Sequence, residues 1–309
     1  MLATVAAGCG GNDEPLVLSE DPPLSVVWGD SGRAHAAAVG DIYVVQPDSP
    51  TARLVRRWSS DLRDDHPYGA FNALWSPARD SIAFSLGVYY ADPGSRVALI
   101  RPDGSGLREL TSGYDRMLVA WSADGKRLIH RSFWNTQPFA SLSSVDGDNE
   151  PVRLAGAGQL REFDWSSDGS RIVGALWERG LFTMNAAGRK LRHITQGDDS
   201  DPHWSPDGKK LLFTRSTCDE EEIECESNVW VVNADGSGPQ QLTDEPYTSA
   251  VGWSPNGEKV LFLREVVDET TKPARDWVEL WAMTANGEQQ TRLPFNRTGR
   301  SVVAADWGR

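Results

Sequence analysis

Residues 204–213 read W-S-P-D-G-K-K-L-L-F, and residues 229–243 read V-W-V-V-N-A-D-G-S-G-P-Q-Q-L-T. The first stretch follows the short segment D-P-H, which suits a strand ending at Trp204. S-P-D-G is a turn: Pro206 presets φ and Gly208 accepts a positive φ. K-K-L-L-F-T-R, with polar ends around an apolar centre, is read as a strand. V-W-V-V-N is a third strand, A-D-G-S-G a second turn, and P-Q-Q-L-T a fourth, outer strand. One such unit is a four-stranded antiparallel sheet.

The unit recurs. Trp opens the same setting at Trp28 (WGDSGR), Trp75 (WSPARD), Trp121 (WSADGK), Trp165 (WSSDGS), Trp204 and Trp253 (WSPNGE), and Trp307 begins the closing WGR. The intervals are 47, 46, 44, 39, 49 and 54 residues, the length of one propeller blade. The second half repeats independently at 41–55, 96–110, 139–154, 180–194, 228–242 and 279–293. Both series predict an all-β chain: a six-bladed β-propeller with four antiparallel strands per blade. The flat Trp rings are assigned to packing between blades and the Asp-Gly pairs to turns. Seven Trp-ending strands compete for six inner positions. The segment 301–307 is expected beside blade one, because propellers remove open edges by pairing their termini.

W-S-P-D-G-K-K-L-L-F followed by V-W-V-V-N-A-D-G-S-G resembles the repeat of TolB-like six-bladed propellers, over roughly residues 24–307. The resemblance implies the fold. It implies less about activity, because this repeat serves many proteins. Neither the α/β domain nor the hydrolase domain that accompanies the propeller in some relatives is expected within this sequence.

The chain has 309 residues, a net charge of −13 and 24% charged residues. Nucleic-acid binding is disfavoured, since phosphate contact needs clustered Lys and Arg. No run of about 18 apolar residues exists, so no helical membrane span is expected. The N-terminus, MLATVAAGCGGNDEP, places small residues Ala6, Ala7 and Gly8 before Cys9. This resembles a bacterial lipobox, whose Cys is lipid-modified, although Ala6 stands where Leu is commonest and only eight residues precede Cys9. Residues 1–9 are thus read as a lipoprotein signal remnant, 10–22 as a flexible tether and 23–309 as the propeller. The reading implies export and a lipid anchor, in the periplasm or at the cell surface. Cys218 and Cys225, with six residues between them, suit a disulfide closing a hairpin in an exported protein.

Chain direction separates two faces. If strands A to D run from the inside out, the A–B and C–D turns share one face and the B–C and D–A loops the other. The first set is short and uniform. The second is long and variable, as functional loops on a rigid scaffold are. This loop face is expected to carry His66, Tyr68, Tyr89, Tyr90, Tyr114, Arg116, Trp134, Arg161, Asp198, Asp199 and Tyr247, with Asp201 and the acidic run Asp219–Glu222. Aromatic residues beside charges suit protein, peptide or envelope-glycan contact.

The motifs G-x-S-x-G, S-x-x-K and H-E-x-x-H are absent, and no two of the five His stand at metal-ligand spacing. No catalytic residue, metal or cofactor is assigned; calcium at the acidic loop or at Asp198, Asp199 and Asp201 is a minor alternative. The leading expectation is a monomeric, non-catalytic, envelope-anchored binding module. The alternatives are a carbohydrate-active lyase or glycosidase, which would need His66, Arg116, Arg161 and Asp199 to converge, and a metal-binding propeller.

Overall fold

The computed structural model describes residues 16–30, 40–58, 62–63, 66–88, 95–111, 116–132, 139–146, 152–154, 158, 160–219, 225–268, 270, 275–295 and 300–308. Its strands form six antiparallel sheets. Blade one contains β1 (Leu24–Asp30), β2 (Asp41–Val45) and β3 (Ala52–Arg56). In blade two, β4 (Leu62–Arg63) folds back on β5 (His66–Trp75), followed by β6 (Ile82–Val88), β7 (Arg96–Ile100) and β8 (Arg108–Glu109). Blade three is β9 (Arg116–Trp121), β10 (Arg127–Ser132), β11 (Phe139–Ser144) and β12 (Val152–Arg153). Blade four is β13 (Arg161–Trp165), β14 (Arg171–Leu176), β15 (Gly180–Asn185) and β16 (Arg192–His193). Blade five is β17 (Asp198–Trp204), β18 (Lys210–Cys218), β19 (Cys225–Asn233) and β20 (Gln240–Gln241). Blade six is β21 (Thr248–Trp253), β22 (Lys259–Asp268), β23 (Arg275–Thr284) and β24 (Thr291–Arg292). The last strand, β25 (Arg300–Asp306), pairs with β1 and completes blade one in the order β25-β1-β2-β3.

This closure resolves the competition between the two terminal Trp strands. The segment ending at Trp307 takes the inner position, and Trp28 lies within the second strand, opposite Asp41 and Val302. WGDSGR is therefore the repeat copy that does not hold an inner-strand Trp. Trp28 is instead a core residue, 1% exposed, tilted against Tyr43 and set edge-on to Phe295 across the seam between blades six and one.

The core is divided among the six seams. One cluster of buried residues sits between each pair of adjacent blades, and every inner-strand Trp belongs to the cluster shared with the preceding blade. Burying these flat rings supplies apolar area where neighbouring sheets meet. Polar groups pin the same seams. The Asp164 carboxylate accepts the Trp204 N–H at 2.7 Å, and Asp306 accepts that of Trp75 at 2.7 Å. The Arg171 guanidinium lies 4.2 Å over the Trp204 ring, and Arg127 lies 5.2 Å over Trp165.

The W-S-x-D-G turn is a hydrogen-bonded unit. Ser166 Oγ donates to Asp168 Oδ1 at 2.6 Å, Ser170 N donates to the same oxygen at 3.0 Å, and Arg171 N donates to Ser166 Oγ at 2.9 Å. These donors, Ser166 first, hold the Asp168 carboxyl down at about 2. The same Ser–Asp arrangement recurs at Ser205–Asp207, and Ser254–Asn256 replaces it in blade six. Gly208, at φ +67°, takes the left-handed position the turn requires.

The expected tether is docked in its second half. Leu18 is 5% exposed and packs with Leu261, Leu280, Leu293 and Phe295, while Asp21 pairs with Lys259 at 2.8 Å. Pro23 O accepts from Arg79 in the blade-two turn. Residues 18–23 therefore lie at the short-turn face, and only residues 10–15 fall outside the described part of the tether.

Candidate functional site

Each inner strand loses register with its neighbour at the same level. The residues that fall out of register include Val303, Asn72, Val119, Glu162, Asp201 and Val251, in blade order. A bulge of this kind bends the strand and re-aims its side chain. Three of the residues take positive φ: Asn72 (+52°), Glu162 (+40°) and Asp201 (+47°). They bond from blade to blade: Asn72 Nδ2 donates to Leu118 O at 3.3 Å, and Asp201 N donates to Glu162 Oε2 at 3.0 Å. The ring is thus Val on three blades and polar on the others.

Its most unusual member is Asp201. Thr214 Oγ1 donates to Asp201 Oδ2 at 3.0 Å. Burial, reinforced by the Glu162 carboxylate alongside, pushes the Asp201 carboxyl up to about 7. The carboxyl can therefore hold a proton near neutrality.

Above this ring the loop face carries an aromatic–cationic ledge. Blade four joins β14 to β15 by the tight turn Leu176–Gly180, which leaves Trp177 57% exposed, with the Arg161 guanidinium 4.7 Å over its ring. Tyr247, at φ +59° and 49% exposed, stands at the foot of the long β22–β23 hairpin, where its carbonyl accepts the Glu265 N–H. On blade five, β18 and β19 end in the disulfide Cys218–Cys225, with Cα atoms 4.0 Å apart.

The expected site residues are placed unevenly. Arg161, Asp198 and Tyr247 are on the loop face with at least partial exposure. Asp199 is also at that level, but its side chain is sealed: Arg215 grips both carboxylate oxygens at 2.7 and 2.9 Å, and Thr195 donates to it as well. It braces β17 against β18 and offers no free oxygen to a ligand. His66, Tyr68 and Arg116 start inner strands β5 and β9, but their side chains lie outside the described residues, as do Cys9, Tyr89, Tyr90, Tyr114, Trp134 and residues 220–222. Of the charged set a lyase would need, the described members do not converge: Arg161 stacks on Trp177 and Asp199 is held by Arg215. Among the described residues no group of three or more His, Cys, Asp or Glu is arranged to hold a metal ion. His130 is buried against Ser143, and His193 stacks on Phe182.

Sequence reasoning missed Trp177 and Glu162. Trp177 stands in L-W-E-R-G, outside the W-S-x-D-G setting, and is one of the six Trp left when the seven repeat Trp are set aside. Glu162 has no local signal, because its role comes from the bulge.

Residues 88–271, about three fifths of the chain, match the family model for the TolB β-propeller domain. The "Tol-Pal system protein TolB" of Anaeromyxobacter dehalogenans strain 2CP-C is 30% identical over 279 residues, covering 76% of this chain and 61% of that protein. Its counterpart in strain 2CP-1 is 30% identical over 287 residues, covering 78% and 63%. The chain thus spans about three fifths of the length of these curated relatives. Among solved structures, TolB from Acinetobacter baumannii superposes with a TM-score of 0.71 at 16% identity, over 92% of this chain and 66% of that one. A chain of the nidogen/laminin complex gives 0.63 at 10% identity, over 92% and 97%. An oligogalacturonate lyase in complex with manganese gives 0.52 at 14% identity, over 82% and 70%. At these identities the likeness is one of fold.

Proposed function

Because the chain belongs to the TolB β-propeller family, we propose that it is an exported, non-catalytic scaffold of the cell envelope that holds a protein or peptide partner on its loop face. The relatives named for the Tol-Pal system support an envelope role. The observation that carries the reading is Trp177, a large ring left 57% exposed and backed by Arg161. Exposed Trp and Arg set on a rigid frame are what protein contacts concentrate their binding energy on. A lipid on Cys9 would tether this scaffold to a membrane, and the Cys218–Cys225 bridge fits an oxidising compartment.

The test is capture of partners from envelope extract by the full chain and by Trp177→Ala. Trp177 is surface-exposed, so the variant should keep its melting temperature and lose most of the captured partner. Equal capture by both proteins would refute a partner site on this ledge. In cells, Cys9→Ala should move the protein from the membrane to the soluble fraction, and unchanged retention would remove the lipid anchor from the proposal.

A further inference from the structure

The docked segment before β1 fixes where any tether leaves the propeller. Leu18 is buried in the seam between blades six and one, Asp21 pairs with Lys259 beside the blade-six turn, and the Pro23 carbonyl is held by Arg79 in the blade-two turn. The last two anchors are at the short-turn face. Nine residues separate Cys9 from Leu18, and a fully extended chain of that length reaches about 32 Å. An anchor at Cys9 thus lies within that distance of Leu18, and Asp21 and Pro23 place the start of the tether at the short-turn face.

Charge is divided in the same sense. In the short-turn segments Lys126, Lys190, Lys209, Lys210 and several arginines roughly balance turn carboxylates such as Asp124, Asp168, Asp207 and Asp235, and Lys259 is taken up by Asp21. Lys209 is 80% exposed. Acidic residues concentrate on the other side, in the segments 198–201, 219–226, 244–245 and 265–269. An anionic lipid surface repels the loop side and attracts basic residues within about a Debye length, roughly 8 Å.

We propose that the short-turn face lies against the membrane and presents the loop face, with Trp177 and Tyr247, away from it. The proposal rests on the lipid-anchor reading, and its partner is an anionic lipid surface. The docked segment sets the orientation, and repulsion of the acidic loop side by the anionic surface holds it.

The test couples the full chain through the Cys9 thiol to maleimide-headgroup lipid in vesicles of phosphatidylcholine and phosphatidylglycerol that contain a headgroup quencher. A fluorophore is placed by azidophenylalanine at Lys209 in one sample and at Glu226, an exposed loop-face position, in another. The expected result is that the label at 209 loses most of its emission while the label at 226 keeps most of it. Equal quenching, or the reverse, overturns the orientation. The double variant Leu18→Ser with Lys259→Ala, checked for an intact fold by circular dichroism, should shrink the difference. A full difference in that variant overturns the docked segment as its cause. Mass analysis of Cys9 in cell-made protein reports separately on anchoring. An unmodified Cys9 overturns the anchor reading and the proposal built on it, whereas a lipid-modified Cys9 with equal quenching overturns the orientation alone.

Discussion

Replacing Asp201 by Asn should flatten the pH dependence of stability. Asp201 sits in the inner-strand bulge with Thr214 donating to it and Glu162 beside it, and burial pushes its carboxyl up to about 7. A carboxyl so raised keeps its proton in the folded state where the unfolded chain, titrating near 4, has already released it. Its stabilising contribution is therefore complete below about pH 4 and is lost as pH rises through about 7. Three pKa units at about 1.4 kcal/mol each set a ceiling of about 4 kcal/mol. Asp201 is only half-buried, and the water reaching it screens the interaction, which lowers the expected figure to about 2 kcal/mol. Asn keeps an acceptor for Thr214 and tolerates the positive φ. Urea unfolding followed by Trp fluorescence should find the two proteins nearly equal at about pH 3.5, with the variant more stable by about 2 kcal/mol at about pH 8. Parallel stability curves, with a constant gap across that range, would refute a proton held at this site.

Two further substitutions probe the frame. Asp199→Ala leaves the Arg215 guanidinium, 18% exposed, without its carboxylate; chemical denaturation should register a loss of about 3–5 kcal/mol, as for other broken buried pairs, and a loss under about 1 kcal/mol would mean that the pair is open to solvent. Gly208→Val forces a β-branched residue to φ +67° with its Cβ 3.1 Å from Arg171 Nη2; the expected cost is about 1–3 kcal/mol, and an unaltered melting temperature would refute the turn assignment.

Much of the fold was legible because its determinants are local. Ser166, Asp168 and Gly169 close a turn through bonds spanning no more than five residues, so the W-S-x-D-G string can be read without knowing what surrounds it. The apolar run Leu211-Leu212-Phe213 of β18, closed off by the S-P-D-G turn, is likewise a strand signal, and all three side chains are buried. The candidate site was less legible. Trp177 and Tyr247 are exposed because of how tight turns and hairpin feet project from neighbouring blades, and Asp199 looked like a ligand residue until Arg215, sixteen positions away, proved to enclose it.

The sequence by itself determined the blade count, the strand order within each blade and the separation of a uniform face from a variable one, because repeat spacing and turn chemistry are encoded within each unit. The tertiary structure alone decided which Trp strand is innermost, since Trp28 and Trp307 share the same local chemistry and only ring closure, with β25 inside β1, distinguishes them. It also decided that residues 18–23 are docked, through Lys259 and Arg79 far along the chain, and that the Asp201 carboxyl is raised, by burial and by Glu162 on the preceding blade. Contacts between residues distant in sequence leave no periodic trace, so they are visible only once the ring has closed.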